Sequence, residues 1–101
     1  MSEHRIIRGA TIRGHVQGVG FRFWTEREAR ARALEGWVRN RRDGSVEGVF
    51  AGPVAAVAAM IEAARRGPPA ARVEAVDVRE ADAAELGARR PGETFSQLPT
   101  V

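Results

Sequence analysis

Asp43-Gly44 separates two runs, Gly36–Arg41 and Ser45–Phe50, that both read as strands. An Asp-Gly pair between such runs marks a hairpin, because glycine takes the positive φ that a tight turn requires. Two neighbouring antiparallel strands in mid-chain then restrict the fold to arrangements built around an antiparallel sheet. Upstream, Ala10, Ile12, Gly14 and Val16 alternate with Thr11, Arg13 and His15, the period-two pattern of a half-buried strand over Ile6–Val16. The loop Gln17-Gly18-Val19-Gly20 follows it. From Phe21 or Arg22 to about Leu34, Glu, Ala, Arg and Leu without Gly or Pro favour a helix, which Glu35-Gly36 ends.

Downstream of the hairpin, Gly52-Pro53 opens a second helix with an apolar stripe of Val54, Val57, Ala58 and Ile61, and Gly67-Pro68-Pro69 closes it. Arg72–Val78 reads as a strand of less regular alternation, and Thr94–Leu98 as a short final strand. Between them, Glu80–Gly92 fits an irregular loop or a loose turn. The order β-α-β-β-α-β-β matches the split βαβ, ferredoxin-like α+β sandwich: an antiparallel sheet covered on one face by two helices, plus a short C-terminal strand. The rotation of the first helix stays open. Counting from Phe21 places Thr25, Ala29 and Arg32 on the covered stripe, whereas counting from Trp24 places Ala31 and Leu34 there.

The 101 residues suit a single domain spanning 1–101, with 1–5 expected as a loose N-terminal tail. The absence of cysteine excludes disulfides, thiolate metal sites and cysteine nucleophiles. No apolar stretch approaches the roughly 20 residues that cross a bilayer, and the N-terminus lacks the apolar core of a signal peptide, so a cytoplasmic protein without membrane partners is expected. All 16 basic residues are arginine, so a net charge of only +3 gives a high isoelectric point. The arginines are scattered rather than concentrated beside stacking aromatics, so no nucleic-acid partner is expected.

Chemistry concentrates in Gly14-His15-Val16-Gln17-Gly18-Val19-Gly20-Phe21-Arg22. Three glycines between a strand and a helix free backbone N–H groups to point inward, and with a helix N-terminus such groups make an anion site. The spacing is neither a P-loop nor a dinucleotide fingerprint. Arg22 in the first helical turn faces the positive end of the macrodipole, an unfavourable placement of about 0.3–1 kcal/mol. An anion held between the amides and the guanidinium reverses that sign, and the guanidinium fork matches two phosphate oxygens. Loop and arginine together read as a monophosphate cradle. Asn40, in a strand where Asn is disfavoured, is a second candidate, its structural alternative being a turn-flanking Asn bonded to local backbone. His15 is expected to face solvent, and no Asp/Glu/His cluster has metal-ligand spacing.

The segment Gly14–Arg22 resembles the phosphate-loop signature of the acylphosphatase family. Gly36-Trp37-Val38-Arg39-Asn40, continuing into Asp43-Gly44-Ser45-Val46-Glu47, resembles its second signature, and the resemblance covers about Arg8–Val101. It implies metal-independent, cofactor-free hydrolysis of acyl phosphates. It places the phosphate on the backbone of Val16, Gln17, Gly18, Val19, Gly20 and Phe21 and on Arg22, with Asn40 orienting the attacking water. The expected partners are a small-molecule acyl phosphate and inorganic phosphate as product and inhibitor, and the expected state is a monomer. Ala33 and Arg32 depart from the family, standing where a glycine and an apolar residue are common. Two other readings remain: a non-catalytic module binding carbamoyl phosphate or another phosphate, and an RNA-binding module of the same strand order. The last requires aromatics on the central strands, where Ile12, Val46 and Gly48 stand.

Overall fold

The computed structural model describes residues 4–101. Its elements run β1 (Arg5–His15), α1 (Phe21–Ala31), β2 (Glu35–Asn40), β3 (Val46–Pro53), α2 (Val54–Arg66), β4 (Arg72–Glu80), α3 (Ala83–Leu86) and β5 (Phe95–Gln97). The five strands form one sheet in the order β4-β1-β3-β2-β5. Four of them pair antiparallel, as the sequence predicts. The fifth makes the sheet mixed, because β5 runs parallel to β2, with Gly36 opposite Phe95 and Val38 opposite Gln97. Most of the expected tail, residues 1–3, lies outside the described residues, and Arg5 already belongs to β1, opposite Pro53.

The hairpin forms as its turn residues dictate. Gly44 donates to the Arg41 carbonyl at 3.1 Å and Arg41 to the Ser45 carbonyl at 2.9 Å, with Gly44 at φ 95°. The Asp43 carboxylate accepts from the Ser45 hydroxyl at 2.6 Å and the Ser45 amide at 2.9 Å, bonds that hold its pKa below the usual carboxylate range. In β4 the irregular alternation is a bulge. Arg13 faces Ala75 but Gly14 faces Val73, so the extra residue lets Val73 and Val76 both pack on the core.

The helices bury one side of the sheet. Phe21, Thr25 and Ala29 of α1 and Val57, Met60 and Ala64 of α2 meet Ala10, Ile12, Val38, Val46, Phe50 and Phe95. Phe50 and Phe95 stack with centroids 6.0 Å apart. Half of the expected α2 stripe faces the core: Val57 is buried and Ile61 packs against it, whereas Val54 and Ala58 are exposed and Met60 is buried instead. The other face carries a smaller cluster of Trp37, Val49 and Leu98 with Ile7, Ala81 and Leu86. Its cover comes from the segment that the sequence leaves irregular. Asp82 and Glu85 form a reciprocal capping box, the short α3 follows, and the Trp37 indole N–H donates to the Glu85 carbonyl at 2.7 Å.

The rotation of α1 follows the Phe21 register, yet Arg32 stays out of the core because the helix stops at Ala31. Ala33 adopts φ 55° and closes a Schellman motif, with Ala33 N–H donating to the Arg30 carbonyl and Leu34 N–H to the Ala29 carbonyl. Arg32 turns back to the Glu28 carboxylate at 2.9 Å, and Leu34 takes the buried position. A left-handed alanine costs about 1–2 kcal/mol, less the entropy a glycine loses on folding. Ala33→Gly is therefore expected to stabilise the protein by about 1 kcal/mol, raising the melting temperature by about 4–8 °C in a thermal unfolding scan.

Candidate active site

The strand-to-helix turn after β1 is built on Gly20, which precedes α1 in a left-handed conformation, φ 78° and ψ 21°. A side chain there meets no neighbour but is strained by the backbone itself. The N-terminus of α1 has no capping side chain and no acidic residue in its first turn. Among the described residues, no backbone N–H from Gln17 to Phe23 donates to a protein acceptor, the first such bond running from Trp24 to the Gly20 carbonyl at 3.0 Å. These donors and the helix dipole make an electropositive turn.

A cavity of about 150 Å³ opens on this turn, lined by Val16, Gly18, Gly20, Phe21, Arg22, Phe23, Asn40 and Gln97. Six of the eight residues expected from the sequence therefore share one concavity. Val16 and Phe21 are buried, at 1% and 2% exposure, and fix both ends of the turn to the core. Arg22 is half-buried and forms no ion pair among the described residues, whereas Arg30 of the same helix and Arg32 just beyond its end pair with Glu26 and Glu28, each at 2.9 Å. The Arg22 guanidinium has no protein partner among the described residues.

Gln17 and Val19 do not line the cavity. The Gln17 amide donates to the Arg41 carbonyl at 2.6 Å and the Ser45 carbonyl at 2.8 Å, tying the loop to the hairpin, and Val19 packs against the core. Asn40 closes β2 opposite Val46. Its side chain makes no hydrogen bond among the described residues, since the local turn bonding is done by Asp43. Its carbonyl accepts from Val101 N–H at 3.2 Å, and Arg42 N–H donates to the Val101 carbonyl at 2.8 Å, which fixes the strand end. His15 is exposed and outside the cavity.

Sequence reasoning missed Phe23 and Gln97. Phe23 is 62% exposed at the rim, with the Arg27 guanidinium 5.9 Å from its ring centroid. Gln97 reaches the site because β5 lies parallel to β2, a pairing that no local pattern signals; its amide donates to Glu26 at 2.8 Å and, with Arg30, holds that carboxyl below its usual range. Among the described residues, no group of three or more His, Asp or Glu side chains could hold a metal ion.

The acylphosphatase family profile matches residues 9–89. The chain is 59% identical over 96 residues to an acylphosphatase of Nitrobacter hamburgensis, covering 95% of this chain and 97% of that one. Among solved structures it resembles an acylphosphatase from Bacillus subtilis, with a TM-score of 0.79 and 36% identity over 92% of this chain and 98% of that one. It also resembles one from Coxiella burnetii, with a TM-score of 0.81 and 30% identity over 93% of each chain. Turn, lone guanidinium and hairpin thus occur in a chain that matches these proteins almost end to end, and it belongs to the acylphosphatase family.

Proposed function

We propose that the chain hydrolyses the carboxyl–phosphate bond of small-molecule acyl phosphates, with the phosphoryl group held by the turn between β1 and α1. The observation that carries this reading is one cavity lined by Gly18, Gly20 and Phe21, whose N–H groups have no protein acceptor among the described residues, by an unpaired Arg22 and by Asn40 with its side chain unbonded. The backbone of Val16–Phe21 and the Arg22 fork bind the phosphoryl oxygens in ground and transition states. Asn40 is neutral at all relevant pH values, so it orients the attacking water but takes no proton.

Water attacks phosphorus, the bond from phosphorus to the acyl oxygen breaks, and the carboxylate leaves with the electron pair. The proton of the water passes to a phosphate oxygen. A carboxylate leaves without a general acid, so catalysis reduces to positioning and neutralising charge on the equatorial oxygens. Each strong donor contributes about 2.7–4 kcal/mol where water is excluded. Inorganic phosphate, the product, occupies the same cradle and inhibits. A monomeric state and a cytoplasmic location belong to the same proposal. Among the described residues no helix is long and apolar enough to cross a membrane.

The RNA-binding reading loses its support on the sheet face. Trp37, the aromatic of that face, is 3% exposed and bonded through its indole to α3. A module that merely binds carbamoyl phosphate has the same cradle and differs in turnover. Release of inorganic phosphate from benzoyl phosphate supports the enzyme, and binding without turnover contradicts it.

The two polar residues are separable. Arg22→Gln is expected to weaken phosphate inhibition and lower kcat/KM together, by about 10²–10³ in the latter. Asn40→Ala is expected to lower kcat strongly while KM and phosphate inhibition stay near wild type, melting curves establishing that both variants fold. An Asn40→Ala protein that keeps kcat but loses phosphate affinity contradicts the assignment.

Activity is expected to survive EDTA undiminished in steady-state assays, because the cradle is lined by no carboxylate or imidazole. A large loss restored by Mg²⁺ contradicts the site as described.

A further inference from the structure

The cradle measures about 150 Å³, and its polar lining is already assigned to the phosphoryl group and its attacking water. The acyl group must lie beyond it. A wider cleft of about 400 Å³ adjoins the cradle and shares Arg22 and Gln97 with it; Glu26, Arg90, Glu93, Leu98 and Pro99 complete its wall.

The charges of this cleft are unequally engaged. Glu26 accepts from Gln97 at 2.8 Å and from Arg30 at 2.9 Å. The Glu93 carboxylate accepts from the Ser96 hydroxyl at 2.7 Å. Arg90 has its backbone fixed, its N–H donating to the Ser96 hydroxyl oxygen at 3.0 Å and its carbonyl accepting from Glu93 N–H at 3.1 Å. Its guanidinium makes no ion pair or hydrogen bond among the described residues. The contrast with the adjacent Arg89 is direct, since that side chain is bonded to Glu35 and the Thr94 carbonyl, each at 3.2 Å. Ser96 is itself buried, so the turn that presents Arg90 is anchored on the sheet while its cation stays free.

Resting on the reading of the cradle given above, we infer that this cleft is the acyl subsite and that Arg90 selects acyl phosphates whose acyl chain ends in a second carboxylate. With Arg22 committed to the phosphoryl group, Arg90 is the cation of the cleft left to receive a distal anion, and its fork suits a carboxylate. Glu26 and Glu93, which also line the cleft, have their carboxylates engaged by protein donors.

The test compares succinyl phosphate with butyryl phosphate, which differ in the distal carboxylate. Wild-type kcat/KM is expected to favour succinyl phosphate by roughly fivefold, a modest value for an exposed charge-assisted pair. Arg90→Gln is expected to bring the ratio to about one, while Arg66→Gln, which removes an equal charge from the end of α2, leaves it as in wild type. The ratio is unmoved by a general loss of activity or stability. A parallel titration measures binding of 5-phosphonopentanoate and pentylphosphonate, which cannot be hydrolysed, and the same Arg90-dependent preference is expected. Equal ratios in wild type and Arg90→Gln, in either arm, overturn the inference. Failure of the wild type to hydrolyse any acyl phosphate overturns the catalytic reading instead, and the phosphonate arm still decides the role of Arg90.

Discussion

Positive potential gathers where β1 gives way to α1, and no acidic side chain lines the cradle itself. The free N–H groups of the turn, the dipole of α1 and the Arg22 guanidinium all carry the same sign. A protein selected for stability alone places Asp, Ser or Thr at such a helix start. Here the position before the helix is a left-handed glycine without a side chain, and the first turn holds a cation. The arrangement is unfavourable when empty and favourable when an oxyanion fills it. The rest of the fold serves that turn: Val16 and Phe21 anchor its ends in the core, and Gln17 fastens it to the hairpin that carries Asn40.

This division of labour explains why so few side chains suffice. The cradle contains one ionisable lining group, Arg22, and no titrating imidazole. The mechanism proposed for it requires charge neutralisation and an oriented water rather than proton shuttling. Only substitution to proline removes a backbone N–H, so the cradle's main liabilities are two side chains, and each is pinned from outside it. Arg22 follows a buried Phe21, and Asn40 sits between the Val46 register and the Val101 backbone bonds.

Local features of the fold were legible in the sequence, and features that depend on distant pairing were not. The Asp43-Gly44 hairpin, the alternation of β1 and the loop before Arg22 are encoded by residues close in the chain. The parallel placement of β5 is not, because three residues carry no signal of their partner, and with it Gln97 was missed. The α2 stripe was half misjudged because alanine-rich helices look amphipathic in several rotations; Met60, not Val54, meets the sheet. The segment after β4 looked irregular since its four-residue helix is too short to show a period, although Asp82 and Glu85 spell its capping box. At the site, Asn40 could not be told from a turn residue until the structure assigned the turn bonding to Asp43.

The central claim is that the turn between β1 and α1 is the phosphate site. Titration of the ¹⁵N-labelled protein with inorganic phosphate tests it most directly, with amide resonances followed residue by residue. The account predicts saturable shifts concentrated at Gln17–Phe23, with the Arg22 side-chain resonances and the Asn40 amide moving at the same midpoint. Shifts confined to other arginine-rich surfaces, such as the groove of Arg13 and Asp43, with Gln17–Phe23 unmoved, would contradict it.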